Sequence, residues 1–272
     1  MAFQQAGGLR YFQFDSFARA GVIHGIFTRR GGVSAAPWTS LNVGGALGDV
    51  PEHTRENRRR IFDALDRPFE SVFDGWQVHG VGVLVADAPR PLAEKQQPAD
   101  ILLTAVPAVT LFMRFADCVP IFLYDGRRKV GGIAHAGWQG TVKKAAAAAV
   151  QAMRERFGSR PEDILAGIGP SIGPDHYEVR ADVIDAVKAA FGPAAEQLLT
   201  ARAADRARLD LWTANRLALE EAGVEQVETA GVCTACHLDD WYSHRREAGQ
   251  TGRFGALLAL PGRDHGTQRS AV

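Results

Sequence analysis

The chain has 272 residues, 46% of them apolar and 23% charged, an ordinary composition for a globular protein long enough to bury a sizeable core. Lys and Arg together number 31, Asp and Glu together 31, and the formal net charge is +0. That balance excludes a broadly basic nucleic-acid binder and a polybasic membrane anchor, and the composition excludes disorder over most of the length.

The longest apolar stretches, 119–124 and 145–150, fall far short of the ~18 residues a membrane span needs. Residues 1–10 lack the basic start and apolar core of a secretory signal. Cysteine occurs at 118, 233 and 236 alone, an odd, low count that argues against a disulfide framework and for a reducing cytoplasm. The expectation is a cytoplasmic protein of one domain over 1–272, with no nucleic acid and no membrane as partner. The polar stretch 262–272 reads as a frayed tail. The oligomeric state stays open.

In chain order, His53 to Asp66 predicts a helix with Ile61, Phe62 and Leu65 on one side. Residues 81–86, 101–106 and 109–115 predict strands, the last two separated by Pro107. Ile121 to Tyr124 and Val130 to His135 flank the turn 125–128 and predict a hairpin. Thr141 to Phe157 predicts one long helix, with Thr141 as N-cap and Gly158 as its stop. Residues 181–191 and 211–222 predict helices ending at Gly192 and Gly223, and 256–260 a last short strand. Hairpins and helices alternate without a regular strand-helix repeat, which predicts an α+β fold.

Three segments place metal-type ligands beside predicted strands: Gly75 to Gly80 with His79, Phe115 to Pro120 with Cys118, and Ile133 to Trp138 with His135. Each sits among Gly and Ala, where a backbone and a ligand approach closely. Two imidazoles and a thiolate suit Zn²⁺, and three protein ligands leave a fourth position open, as catalytic zinc sites do. The gaps, 39 and 17 residues, match no compact ligand motif. Two other readings stay open on spacing: a buried core thiol with two histidines satisfied by backbone groups, and a Cys118–His135 nucleophilic dyad.

These segments resemble the laccase-domain family, also called YfiH-like or multicopper polyphenol oxidase domain proteins. The resemblance runs through Phe27 to Ser34, Ser40-Leu41-Asn42, Gly48-Asp49, Glu56-Asn57-Arg58, Gln77 to Gly80, Ala99-Asp100, Ala116 to Pro120 and His135 to Trp138. It continues through Gly169-Pro170, Tyr177-Glu178-Val179, Cys233-Thr234, Ser243 to Arg246 and Thr251-Gly252-Arg253. It implies a His-Cys-His zinc site filled by His79, Cys118 and His135, with copper able to occupy it in vitro. It implies phosphorolysis of purine nucleosides (adenosine, guanosine, inosine, methylthioadenosine) and deamination of adenosine, so that a purine nucleoside and phosphate are the expected small-molecule partners. It also implies an α/β/β/α sandwich with mixed sheets, resembling the catalytic fold of cytotoxic necrotizing factor toxins. Some members are named peptidoglycan editing factors, which keeps a Cys118–His135 hydrolase or amidase as the alternative.

On this reading the catalytic residues are Cys118, His135, His79 and Asp117, the last as a partner that orients a ligand histidine. Arg29, Asn42, Gln77 and Arg245 are the expected substrate and phosphate residues, and Arg58 and Arg253 are further cations in matching blocks. Two positions depart from the family pattern. Gln139 stands where Arg is usual and offers no charged fork to phosphate, and His244 stands where an aromatic is common. The eight histidines include no His-x-His pair, so one chain cannot assemble the copper set of a classical multicopper oxidase, and a polyphenol oxidase is disfavoured. Cys233-Thr234-Ala235-Cys236-His237 matches a haem-attachment pattern, which a chain without an export signal does not support. A CxxC redox or zinc role and a turn with semi-buried thiols remain.

Overall fold

The chain opens with a meander of β1 (Ala2–Ala6), β2 (Leu9–Gln13) and β3 (Ile23–Phe27), with the short α1 (Asp15–Arg19) between the last two. In this computed structural model, which describes residues 2–201, 203 and 205–262, the β1–β2 turn is Gly7-Gly8. Both glycines have positive φ, 56° and 78°, as a two-residue hairpin turn requires. The expected tail falls, from 263 onward, outside the described residues.

The first long helix is α2 (Pro51–Asp63), two residues earlier at its start than the 53–66 expected and three shorter at its end. Pro51 opens it, where the missing N–H costs nothing. Then come β4 (Val72–Asp74), β5 (Val83–Ala86), β6 (Ile101–Thr104), β7 (Thr110–Phe115), β8 (Val119–Asp125) and β9 (Val130–Ala136). The β8–β9 hairpin forms as expected, its turn held by Asp125 Oδ1, which accepts from the N–H groups of Arg127 (2.8 Å) and Arg128 (3.0 Å).

The single helix expected over 141–157 is two helices, α3 (Trp138–Val142) and α4 (Ala145–Phe157). Lys144 takes φ 56° between them and breaks the ladder. Thr141 is therefore no cap; it lies inside α3, where its hydroxyl accepts from buried Asn215 (2.9 Å). Gly158 closes α4 in the left-handed conformation, as expected. After β10 (Ile164–Ile168) and β11 (Glu178–Arg180) come α5 (Ala181–Phe191), α6 (Ala195–Leu198), β12 (Leu199–Thr200), β13 (Arg206–Leu209), α7 (Leu211–Glu221), β14 (Gln226–Thr229) and β15 (Phe254–Ala259). Gly192 ends α5; Asp210 caps α7 by accepting from Thr213 N–H (3.0 Å).

Two six-stranded sheets result, ordered β1-β2-β3-β15-β7-β4 and β14-β10-β8-β9-β6-β5, beside a small sheet β11-β13-β12. Both large sheets are mixed: β4–β7, β5–β6 and β10–β14 are parallel and the other pairs antiparallel. They stack face to face over Phe12, Ile26 and Phe254 of the first and Leu102, Phe122 and Ile133 of the second, with Phe14 just after β2 between them. Ile61 and Phe62 of α2 cover the outer face of the first sheet, against Leu9, Phe27 and Leu257. Helices α4, α5 and α7 cover the outer face of the second. The layers are α/β/β/α, the α+β arrangement expected. Strands β8 and β9 are buried along their whole length, which is why they read as continuous apolar runs. Among the described residues no helix is long and apolar enough to cross a membrane.

Buried between the sheets is His24 of β3, packed against Phe14, Phe17 and Phe122. Its Nε2 accepts from Phe14 N–H (2.9 Å) and its Nδ1 donates to Val22 C=O (2.9 Å), so the ring is neutral. Burial pushes its pKa down to about 4, against the carbonyl of Val22 and the charge of Glu228, which pull the other way. The unfolded chain, with an ordinary histidine, takes up the proton first as pH falls. The stability from the neutral ring is thus whole above about pH 6.5 and is lost on the way down to about pH 4. In urea titrations near pH 7 and near pH 4, the wild type should lose about 3 kcal/mol more than His24→Gln.

Candidate active site

Three strand ends converge where the large sheets meet. β7 ends at Phe115 in the first sheet, and the chain turns through Ala116 and Asp117 into β8 of the second. Asp117 takes φ 79° to make this corner, and Cys118 stands on it. His135 is near the end of β9, and His79 comes from the loop after β4, with φ 60°. The ligand atoms of His79, Cys118 and His135 lie within 4.8 Å of one another, and the two imidazole centroids are 4.9 Å apart. A Cβ on Gly137 would stand 2.8 Å from Cys118 Sγ and 3.2 Å from His79 Cδ2, so glycine is needed where α3 starts against the site.

The residue that assembles this set is Asp100, just before β6 and fully buried. Its carboxylate accepts three successive backbone N–H groups, from Val78 (3.1 Å), His79 (3.0 Å) and Gly80 (2.7 Å). Such a run of N–H groups is an anion-holding concavity, and it offsets the strain of a positive φ at His79. The same Oδ1 accepts from His135 Nδ1 (2.8 Å), while His135 N–H donates to the Asp100 carbonyl (2.8 Å). With Nδ1 engaged, His135 presents Nε2 toward Cys118. Burial pushes the Asp100 carboxyl up, but the His135 proton and the N–H donors outweigh it and hold the group below its usual range.

Cys118 and His135 shift each other in the same way. Burial opposes the thiolate, yet the His135 charge and hydrogen bonds from both imidazoles bring Cys118 down to about 6. Burial opposes the imidazolium, yet Cys118 and Asp100 raise His135 to about 9. A thiolate at neutral pH is the form that ligates metal or attacks carbon.

The triad opens into a cavity of about 630 Å³ whose wall includes Trp76, Gln77, His244 and three arginines, Arg58, Arg114 and Arg253. Arg114 pairs with Asp74 (3.3 Å), which Arg90 also holds (2.7 Å). Arg58 donates from Nε to Val43 C=O (2.9 Å), and Arg253 donates to the carbonyls of Thr251 (3.2 Å) and Gly252 (2.8 Å). Among the described residues neither has a carboxylate partner. Burial lowers both, Arg58 to about 10 with the Arg114 charge adding to the effect. Two partly desolvated guanidinium groups thus face one cavity with their charge unbalanced by a carboxylate among the described residues, the kind of setting that suits an anion.

Comparison with known proteins gives the family. A family described as multi-copper polyphenol oxidoreductase laccase matches residues 23–261. The chain belongs to this family. It is 42% identical over 243 residues to a protein of Deinococcus radiodurans named purine nucleoside phosphorylase, covering 89% of this chain and 91% of that one. It is 37% identical over 247 residues to purine nucleoside phosphorylase YlmD of Bacillus subtilis, covering 88% of each. The crystal structure of YlmD from Geobacillus stearothermophilus superposes with a TM-score of 0.89 at 34% identity, covering 96% of this chain and 99% of that one.

Against that family pattern, several expected site residues turn out to hold the fold instead. Asp117 does not orient a ligand histidine, the part Asp100 plays; its carboxylate accepts from Thr234 Oγ1 (2.6 Å) and Arg245 N–H (2.6 Å), pinning the Cys118 corner to the C-terminal segment. Arg29 is outside the cavity wall. It lies over the Tyr242 ring (4.3 Å) and donates to Thr39 C=O (2.9 Å), Leu238 C=O (3.1 Å) and Glu247 (3.0 Å). Asn42 is fully buried; its Oδ1 accepts from Arg253 N–H (2.9 Å) and so sets that arginine's backbone. Arg245 donates to Glu178 C=O (2.6 Å) and stacks on Tyr177 (4.8 Å). Gln77 does face the cavity, but both ends of its amide are taken by Arg114, by its C=O (2.8 Å) and its N–H (3.0 Å). Gln139, where the resemblance leads one to expect an arginine, lies in the first turn of α3 and is absent from the cavity wall that holds Arg58, Arg114 and Arg253. His244 does line it.

Asp100 stands in the matching block Ala99-Asp100 and Arg114 in none, and neither is singled out as a site residue by sequence, because the partners that give them meaning lie 20 to 40 residues away. Asp100→Asn keeps the shape but cannot accept from both the His79 loop and His135. Affinity for added zinc, measured by chelator competition, should fall about 10- to 100-fold, and the metal-free protein should unfold at a lower temperature, because the amide NH₂ leaves buried N–H groups without an acceptor. Unchanged affinity would remove Asp100 from the site.

Proposed function

We infer that the chain is an enzyme of purine nucleoside phosphorolysis working at His79, Cys118 and His135. One observation supports this most: the metal-type triad and the unpaired arginines Arg58 and Arg253 face a single cavity of a nucleoside's size. The relatives' names point the same way.

The donor set suits zinc. Two imidazoles and a thiolate within 4.8 Å match its ligand preference, Asp100 sets the His135 tautomer, and Gly137 leaves the close approach open. His79, Cys118 and His135 would hold the ion, which when bound supplies Lewis-acid charge beside the substrate. Arg58 and Arg253, with Arg114 behind them, hold phosphate by charge-assisted hydrogen bonds. Trp76 is half exposed at the rim and offers a flat face to the purine. A phosphate oxygen bonds to C1′ of the ribose as the C1′–N9 bond breaks; the base departs with the bonding electrons and takes up a proton. The products are free purine and ribose 1-phosphate. The arginines' part is to set the nucleophile in line and pre-pay its desolvation. Adenosine, inosine, guanosine and methylthioadenosine fall within this class, and deamination of adenosine at the same triad belongs to the same reading. A reducing compartment fits the three free cysteines.

A second reading has its own support. The Cys118 thiolate, His135 and Asp100 form a nucleophile, base and orienting carboxylate, the arrangement of a cysteine hydrolase. The two readings separate cleanly on incubation of purified protein with adenosine or inosine and phosphate, followed by chromatography. The wild type should release base and ribose 1-phosphate only with phosphate present and metal bound, and Cys118→Ala should release none. Arg58→Ala and Arg253→Ala should each raise the phosphate KM about 10- to 100-fold, the cost of a charged hydrogen bond. Trp76→Ala should raise the nucleoside KM several-fold, as loss of an aromatic contact does. Base release that needs no phosphate, or none at all from metal-loaded protein, overturns the phosphorylase. Metal-independent turnover lost on alkylation of Cys118 favours the hydrolase.

A further inference from the structure

A second set of metal-type ligands stands outside this cavity. His176, Cys233 and Cys236 place their ligand atoms within 4.8 Å of one another. His176 Nδ1 is 3.8 Å from Cys233 Sγ and 3.5 Å from Cys236 Sγ. A tetrahedral zinc with ordinary Zn–S and Zn–N bonds has N···S edges of about 3.6 Å, and both N···S distances here are close to that. The two sulfurs come from a C-x₂-C turn, 233–236, the commonest way a chain supplies two thiolates to one ion.

The surroundings fit bound thiolates. Gly173 N–H donates to Cys233 Sγ (3.2 Å), the outer hydrogen bond that steadies a ligating sulfur. A Cβ on Gly173 would stand 3.1 Å from Cys233 Cβ and 3.0 Å from the Trp212 ring, so a side chain there would crowd the sulfur. Cys233 is buried, His176 half-buried and Cys236 exposed, which leaves the fourth coordination position on the solvent side. Cysteines 233 and 236 are free thiols.

We propose that His176, Cys233 and Cys236 bind a second zinc ion, which clips the 173–177 segment to the 233–236 turn. The clip bears on the active-site wall. Thr234, inside the turn, donates to Asp117 beside Cys118 (2.6 Å), and Tyr177, next to His176, carries the stacked Arg245. The ion fixes both segments at once.

The test counts metal rather than turnover, so it stands apart from the phosphorylase reading. Protein purified under reducing conditions with zinc should carry about two ions per chain. His176→Ala/Cys236→Ser should carry about one, as should His79→Ala/Cys118→Ala, and the variant combining all four changes about none. Cobalt added to the zinc-free His79→Ala/Cys118→Ala protein should give a thiolate-to-cobalt charge-transfer band that the fourfold variant lacks. Cys236→Ser alone, a change at an exposed position, should weaken zinc binding at this site while the fold, read by circular dichroism, persists. Equal zinc in wild type and His176→Ala/Cys236→Ser overturns the proposal. So does a Cys233–Cys236 disulfide, seen as a mass lower by two hydrogens, in protein kept under reductant.

Discussion

A single buried carboxylate ties the two halves of the active site together. Asp100 receives the N–H groups of 78–80 on one side and the His135 imidazole on the other. Each contact is a charge-assisted bond out of water, where such bonds are worth most and where leaving one unmade is costly. The loop bearing His79 has no regular structure of its own, and its positive φ would be unfavourable without that anchor. The carboxylate thus converts a loop and a strand end, far apart along the chain, into two ligands with defined orientation.

The same logic recurs at the Cys118 corner. Cys118 lies where the chain leaves one sheet for the other, and Asp117 beside it is held by Thr234 and by the Arg245 backbone. Asn42 in turn holds the backbone of Arg253. These side chains are not in the cavity wall, yet they set groups that are. Site residues on a rigid sandwich, steadied by a second layer of hydrogen bonds, keep their geometry without help from the ligand. The arginines show the converse. Arg29 spends its donors on carbonyls and a carboxylate and belongs to the fold, while Arg58 and Arg253 are half-buried at the cavity wall and, among the described residues, have no carboxylate partner.

Much of the secondary structure was legible in the residues. Strands β5 to β9 and the helices ending at Gly158, Gly192 and Gly223 lie where apolar periodicity and glycine stops put them. The N-terminal meander went unread although Gly7-Gly8 between short apolar stretches was its signal. The break at Lys144 could not be read, because Lys143, Lys144 and the alanines that follow are all strong helix formers; the hydrogen bond between Thr141 and Asn215 accompanies the interruption. His79, Cys118 and His135 were legible as ligand types in tight glycine-rich settings, and choosing among zinc, a dyad and a core thiol needed family resemblance.

Residue order carries most of the strands and helices, because burying an apolar face at period 2 or 3.6 is a local property of the chain. It also determined the ligand chemistry on offer, through the types His, Cys and Arg. The tertiary structure alone decided which of many polar residues serve the site. Asp100 and Asp117 are both buried aspartates, and Arg29 and Arg58 are arginines in equally strong family blocks. What separates them is the set of partners each finds across the chain. A hydrogen bond or an unpaired charge depends on atoms brought together from distant positions, and spacing along the chain does not encode that meeting.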